Sequence, residues 1–202
     1  MWIKLGILLT GFFYAGFLPH TLRKTLRHTE IDLNKWTISY LSNKRIYGRV
    51  YLRGYKWMMF AMAVSCLVFF RLLVEFYDLH ARENLLNYAD YTAIFLISLA
   101  FLPHNMQPIS FRHLGRSLQR ILHNIMALLV FITLPALIIT FHIAILTELP
   151  VLAISGLVIV AAMVLITIWS VIANGLNGVS ELIFINGISI WGIVVTVFTV
   201  LG

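Results

Sequence analysis

Apolar residues in this chain come in long unbroken runs, with neither the alternation of a half-buried strand nor the narrow stripe of a surface helix. A membrane hydrocarbon core about 30 Å thick is crossed by roughly 20 apolar helical residues, each rising about 1.5 Å. Six segments approach or meet that length: residues 2–18, 57–76, 86–102, 121–146, 150–173 and 182–201. The first carries Lys4 as its one charge and stops at Pro19. The third has a short apolar stretch, Tyr91 to Leu102, ends at Pro103, and is expected to begin earlier, near Leu85. Pro135 interrupts the fourth, and Pro150 opens the fifth. No segment alternates like a barrel strand, and apolar runs this long are helices. The pattern predicts an all-α fold, a bundle of six transmembrane helices forming one domain over residues 1–202, with a long basic loop at 19–56.

Composition agrees with lipid as the solvent for most of the surface. The chain is 60% hydrophobic and 11% charged, whereas soluble domains have about 25% charged residues and about 45–50% apolar ones. The first span has the look of a signal peptide. However, bulky and basic residues, His20 to Arg27, follow it in place of a small-residue cleavage site, so it reads as a retained anchor. Cys66 is the single cysteine, which leaves no internal disulfide and no Cys-based metal site.

The net charge of +7 raises the question of nucleic acid. Its distribution answers it: segments 19–56 and 103–120 hold twelve of the fifteen Lys and Arg residues, beside apolar spans. Anionic lipid headgroups are the partners for such flanks, not nucleic acid. The connection between the second and third spans is acidic on balance, with Asp78, Glu83 and Asp90 against Arg82. The positive-inside rule puts the basic connections in the cytoplasm and both termini outside, in a plasma membrane or a bacterial inner membrane. Loop 19–56 also carries Ile31, Leu33, Trp36, Ile38, Tyr40 and Leu41 among its charges, the mix of an interfacial, membrane-hugging segment.

Ionisable groups within a span cost about 2.5–3.5 kcal/mol on insertion scales, so each is a candidate for function. Arg71, Glu75, Asp78 and Arg82 are spaced i, i+4, i+7, i+11, which predicts a self-pairing polar stripe at the end of the second span. At the opposite membrane face His104 and Asn105 follow Pro103. Arg112, His113, Arg116 and Arg120 precede the fourth span, and His123 and Asn124 fall in its first turn. The spacing of Arg116, Arg120 and His123 places them on one helical face. Arg forks and His donors suit a phosphate, which makes His104, Arg112, Arg116, Arg120, His123 and Asn124 a candidate lipid-headgroup site. The plainer reading is a basic flank that only sets topology.

The turn Asn174-Gly-Leu-Asn-Gly178 should bring Asn174, Asn177 and Glu181 to that same face. Glu181 is then either a counter-ion or a general base, with His123 as its acid–base partner. Polar stripes on the last two helices (Thr167, Ser170 and Asn174; Asn186, Ser189 and Thr196) read as helix packing. Seven histidines invite a metal or haem reading, but His123 and His142 lie about 100° apart around one helix and no HxxxH pair occurs. No cofactor is called for, and no P-loop, nucleophile elbow or HExxH is present.

The stretch Phe101-Leu-Pro-His-Asn105, then Arg120-Ile-Leu-His-Asn-Ile-Met-Ala127 and Phe131, resembles the DUF998 group of six-helix membrane proteins, related to the Frag1/DRAM/Sfk1 proteins. Ile38-Ser-Tyr-Leu41 is similar to their Ile-Ser-x-Leu motif, and the segment from Gly178-Val-Ser-Glu181 onward looks like their closing helix. The resemblance covers roughly residues 30–200. It implies a six-helix bundle with a site built by loops one, three and five, and a role in lipid handling. It also implies that this face lies outside, against the charge rule. Two departures stand out: loop one is more basic than that pattern, and the orientations disagree. The function expected from the sequence is a non-catalytic membrane protein that binds lipid headgroups, or a lipid-linked or protein partner, through its basic face. The alternatives are a lipid-modifying enzyme using His123 and Glu181, a small transporter, and a scaffold subunit of a membrane complex.

Overall fold

The structure, a computed structural model, describes residues 1–102, 104 and 114–202. The described helices are α1 (Trp2–Phe12), a π-helical turn (Phe13–Phe17), α2 (Leu18–Arg27), a 3-10 turn (Ile38–Ser42), α3 (Lys44–Phe76), α4 (Glu83–Phe101), α5 (Leu114–Ile145), α6 (Pro150–Asn174) and α7 (Gly178–Leu201). No strand occurs among the described residues. Five rods are long and apolar enough to cross a membrane: α1 through α2, α3, α5, α6 and α7. α4 is 19 residues long, but Glu83, Asn84, Asn87 and Asp90 occupy its first two turns and lower its hydropathy.

Neighbouring rods close into a ring. The α1–α2 rod packs on α3, α3 on α4, α4 on α5, α5 on α6, α6 on α7, and α7 returns to α1. Aromatic side chains fill the middle. Phe70 stacks on Trp191 with centroids 5.4 Å apart and meets Phe141 edge-on at 6.3 Å, the offset and T-shaped geometries that ring quadrupoles favour. Trp191 donates its Nε1–H to His142 Nε2 at 2.6 Å, joining α7 to α5. α6 reaches His142 through Gly156, where a Cβ would lie 2.0 Å from the imidazole. The termini share one end of the ring, Lys4 Nζ donating to the Val200 carbonyl at 3.4 Å. The α3–α4 turn lies at that end too, through Tyr77 and Thr199 at 2.7 Å.

Several sequence expectations change. Pro19 does not end the first helix, which runs on to Arg27. Proline lacks an N–H and crowds the carbonyl four residues back, and the π turn immediately before it widens the helix enough to accommodate the ring. Residues 19–56 are therefore not a loop: α2 and the start of α3 claim most of them, leaving 28–43 as the connection. Gly48, at φ +85°, breaks α3 near its start, a conformation that glycine adopts without penalty. Pro135 lies inside a continuous α5. The described helix already includes Leu114, so Arg116 and Arg120 belong to it and His123 and Asn124 lie well past its first turn.

The expected stripe of Arg71, Glu75 and Asp78 does not pair with itself. Arg71 crosses to Asp90 on α4 at 2.5 Å, and Glu75 meets His80 at 3.0 Å. For Arg71 the reason is the neighbouring helix, which brings Asp90 alongside; Asp78 lies past the end of α3 at Phe76 and adopts φ +51°, out of helical register.

Candidate functional site

At the end of the ring away from the termini, residues 28–43 fold inward as a cap. Trp36 and Leu33 accept the first N–H groups of α7, from Gly178 at 2.9 Å and Val179 at 3.3 Å. These amides lack partners within their own helix, so the cap and the helix terminus satisfy one another. Asn177 closes the same terminus with a reciprocal capping box to Ser180 and also donates to the Asn34 carbonyl at 3.2 Å. The 3-10 turn Ile38–Ser42 is buried throughout. Its Ile38 N–H donates to the Glu181 carboxyl, and its Ser42 hydroxyl accepts from the His104 N–H at 2.8 Å.

Beneath this cap lies a cavity of about 110 Å³. α1, the π turn and α2 contribute Tyr14, Leu18, Pro19 and Leu22, and the cap contributes Ile38 and Ser39. From α3 come Tyr55, Met58, Met59 and Met62, and from α4 Leu96 and Leu99. α5 supplies His123, Ala127, Val130, Phe131 and Leu134, and α7 Glu181, Phe184 and Ile185. Its α5 wall, from His123 to Leu134, is about 16 Å long at helical rise. Most of the lining is hydrocarbon and thioether; its polar members are Tyr14, Ser39, Tyr55, His123 and Glu181. His123 and Glu181 are at the cavity's capped end. Below its deep end the aromatic layer of Phe70, Phe141 and Trp191 fills the ring.

His123, 2% exposed, places Nδ1 at 2.6 Å from the Leu102 carbonyl. A carbonyl only accepts, so Nδ1 carries a proton, and in the neutral ring Nε2 is left as an acceptor. The His104 ring packs edge-on against it at 5.1 Å. Burial, then the nearby His123 and Arg120, push the His104 pKa down to about 4, so this imidazole is neutral at physiological pH. Its Nδ1 is buried without a hydrogen-bond partner among the described residues.

Of the residues singled out by sequence, His104, His123 and Glu181 come together around the cap. His123 and Glu181 line one cavity but share no hydrogen bond among those described. Asn124 points away, exposed on the outer face of α5. Arg120 lies on α5 close enough to influence His104, Arg116 is one turn earlier on the same helix, and Arg112 lies outside the described residues. The polar stripes of the last two helices behave as packing in part: Ser189 and Thr196 bond carbonyls of their own helix, while Asn186 receives Arg23 from α2.

Sequence reading missed the methionine wall and Tyr55. The spacing of Met58, Met59 and Met62 on α3 was the available signal, since flexible thioethers suit surfaces that must fit a ligand of variable shape. The chain matches no family model, no curated protein and no solved structure.

Proposed function

We propose that this chain is a six-span integral membrane protein that binds a lipid, seating one hydrocarbon chain in the capped cavity and keeping its basic face at the headgroups. The observation that carries this reading is the cavity itself: mostly apolar walls contributed by five of the long helices, with a few polar side chains, His123 and Glu181 among them, under the cap. Binding sites for small ligands have this make-up, mostly apolar walls with a few placed polar groups. Six crossings are supported by the shared end of the two termini, which an even number of spans requires. α4 is then the sixth span, its polar first turns lying at the headgroups beside the Arg71–Asp90 pair. Lys44, Arg45, Arg49, Arg53 and Lys56 on the first turns of α3 lie at the capped end, where anionic lipids attract them at about 1 kcal/mol each. The kinship to the DUF998 group remains part of this proposal, supported by the meeting of Ile38–Leu41, His123 and Glu181 at one site.

Native mass spectrometry after gentle detergent extraction tests the reading. The wild type should retain a lipid-sized mass, and Leu134→Trp, which fills the deep end of the cavity, should lose it. Equal retention by both would remove the cavity from the account. Arg116→Ala with Arg120→Ala separates the two parts of the proposal, because weakening the basic face should lower retention of anionic lipids without emptying the cavity. Copurification of a protein and no lipid would favour a scaffold subunit.

A second reading has one observation in its favour: His123 and Glu181, the acid–base candidates, line the same cavity. It requires turnover of a lipid, abolished by both His123→Ala and Glu181→Gln. Binding without turnover would leave the first reading.

A further inference from the structure

We infer that the lipid taken by this cavity carries a neutral hydroxyl head, seated between Glu181 and His123. The inference rests on the proposed lipid-binding role and narrows its substrate class.

The donors and acceptors at the capped end decide the chemistry. His123 commits its proton to the Leu102 carbonyl and turns an acceptor, Nε2, to its remaining partner. Glu181 takes the Ile38 N–H on Oε2, and the Tyr55 and Ser39 hydroxyls line the same cavity beside it. A hydroxyl is the small group that both donates and accepts. It can donate to His123 Nε2 while facing the carboxyl, whether that carboxyl is ionised and accepting or protonated and donating.

Charged heads fit less well. A phosphate brought beside an ionised Glu181 sets two anionic groups against each other in an apolar cavity, where like charges repel far more strongly than in water, and beside a protonated Glu181 it must still give up the hydration of its own charge for few donors. The neutral His123 offers it no donor. An ammonium head would be accepted by Glu181, but it must pass a bundle end whose nearby segments carry Lys44, Arg45, Arg49, Arg53, Lys56 and Arg120. Those cations suit the anionic surface around the protein, whereas the pocket beneath them suits an uncharged head. The basic exterior and the acceptor-lined interior therefore recognise different lipids.

Photo-crosslinking of the full chain in lipid nanodiscs tests this. Three diazirine probes share a hexadecyl chain and differ in the head: a hydroxyl, a phosphate monoester and a trimethylammonium. Hexadecanol is expected to label cavity residues such as Met59, Met62 and Leu134, and to do so about tenfold more efficiently than the charged probes, the scale set by one buried hydrogen bond. Glu181→Gln keeps an oxygen for the Ile38 N–H while removing the carboxylate. It should narrow the preference of hydroxyl over phosphate. Equal or stronger cavity labelling by either charged probe overturns the hydroxyl inference and leaves the cavity as a lipid site. Failure of all three probes to label the cavity overturns the cavity reading itself.

Discussion

Gly156→Ala tests the central joint of the bundle. The added methyl would stand 2.0 Å from two atoms of the His142 ring, far inside van der Waals contact. The imidazole has no room to retreat: it is fully buried, edge-on to Phe141 at 5.0 Å, and held by the Trp191 N–H. Either α6 moves outward or the Trp191–His142 bond breaks. Overpacking a core costs about 1–3 kcal/mol. Interhelical hydrogen bonds in membranes contribute about 0.6 kcal/mol on average and about 1.7 at most. Together they predict a loss of about 2–4 kcal/mol, read as a lowered midpoint when the protein is unfolded by SDS in mixed micelles. The diagnostic variant is the double one. His142→Ala vacates the space, so Gly156→Ala should be much less damaging on that background than on the wild type, a coupling of the kind that residues in contact show. A Gly156→Ala midpoint within about 0.5 kcal/mol of wild type, or strict additivity in the double variant, would refute the packing argument.

Three further outcomes follow from the same geometry. Arg71 and Asp90 are each about half exposed, so Arg71→Ala should cost no more than about 1 kcal/mol, and a double-mutant cycle with Asp90→Ala should return a coupling of about 0.2–1 kcal/mol. Ser42→Ala removes the acceptor for the His104 N–H and the donor to the Ser39 carbonyl. Hydrogen exchange at residues 38–42 should rise while the α5–α6 region stays protected, and unchanged exchange would count against the cap. His104 titrates near 4 in the folded protein against a usual 6.5. Between those values the unfolded chain binds the extra proton, so stability should fall as pH drops from about 6.5 toward 4. His104→Gln should flatten that slope; a profile unaltered by the substitution would contradict the burial of this ring.

The five long apolar helices were legible because a long apolar run is a local signal that needs no knowledge of neighbours. The helix ends were less so. Pro19 is a breaker by local chemistry, and only the π turn before it explains why the rod continues. Arg71 had a helical partner at the right spacing in Glu75, but the choice of Asp90 depends on which helix lies alongside, information that spacing does not contain. The site was half visible for the same reason. His123 and Glu181 could be singled out as costly polar groups, and the charge pattern put them at one membrane face. Their common cavity depends on the ring order of the helices and on the inward fold of residues 28–43, which are tertiary facts. The tautomer of His123, which decides what it can bind, follows from the Leu102 carbonyl and has no counterpart in the sequence.

The cap ties an early part of the chain to the last helix. Asn34 is bound by Asn177, and Ile38 by Glu181, each pair 143 residues apart. A ribosome adding about 5–20 residues per second makes those partners about 7–29 s after it makes the cap. Through that interval the earlier helices can enter the bilayer and pack, but this end of the bundle stays open. Closing it waits for α7, and until α7 is made the cap has no partners on which to dock.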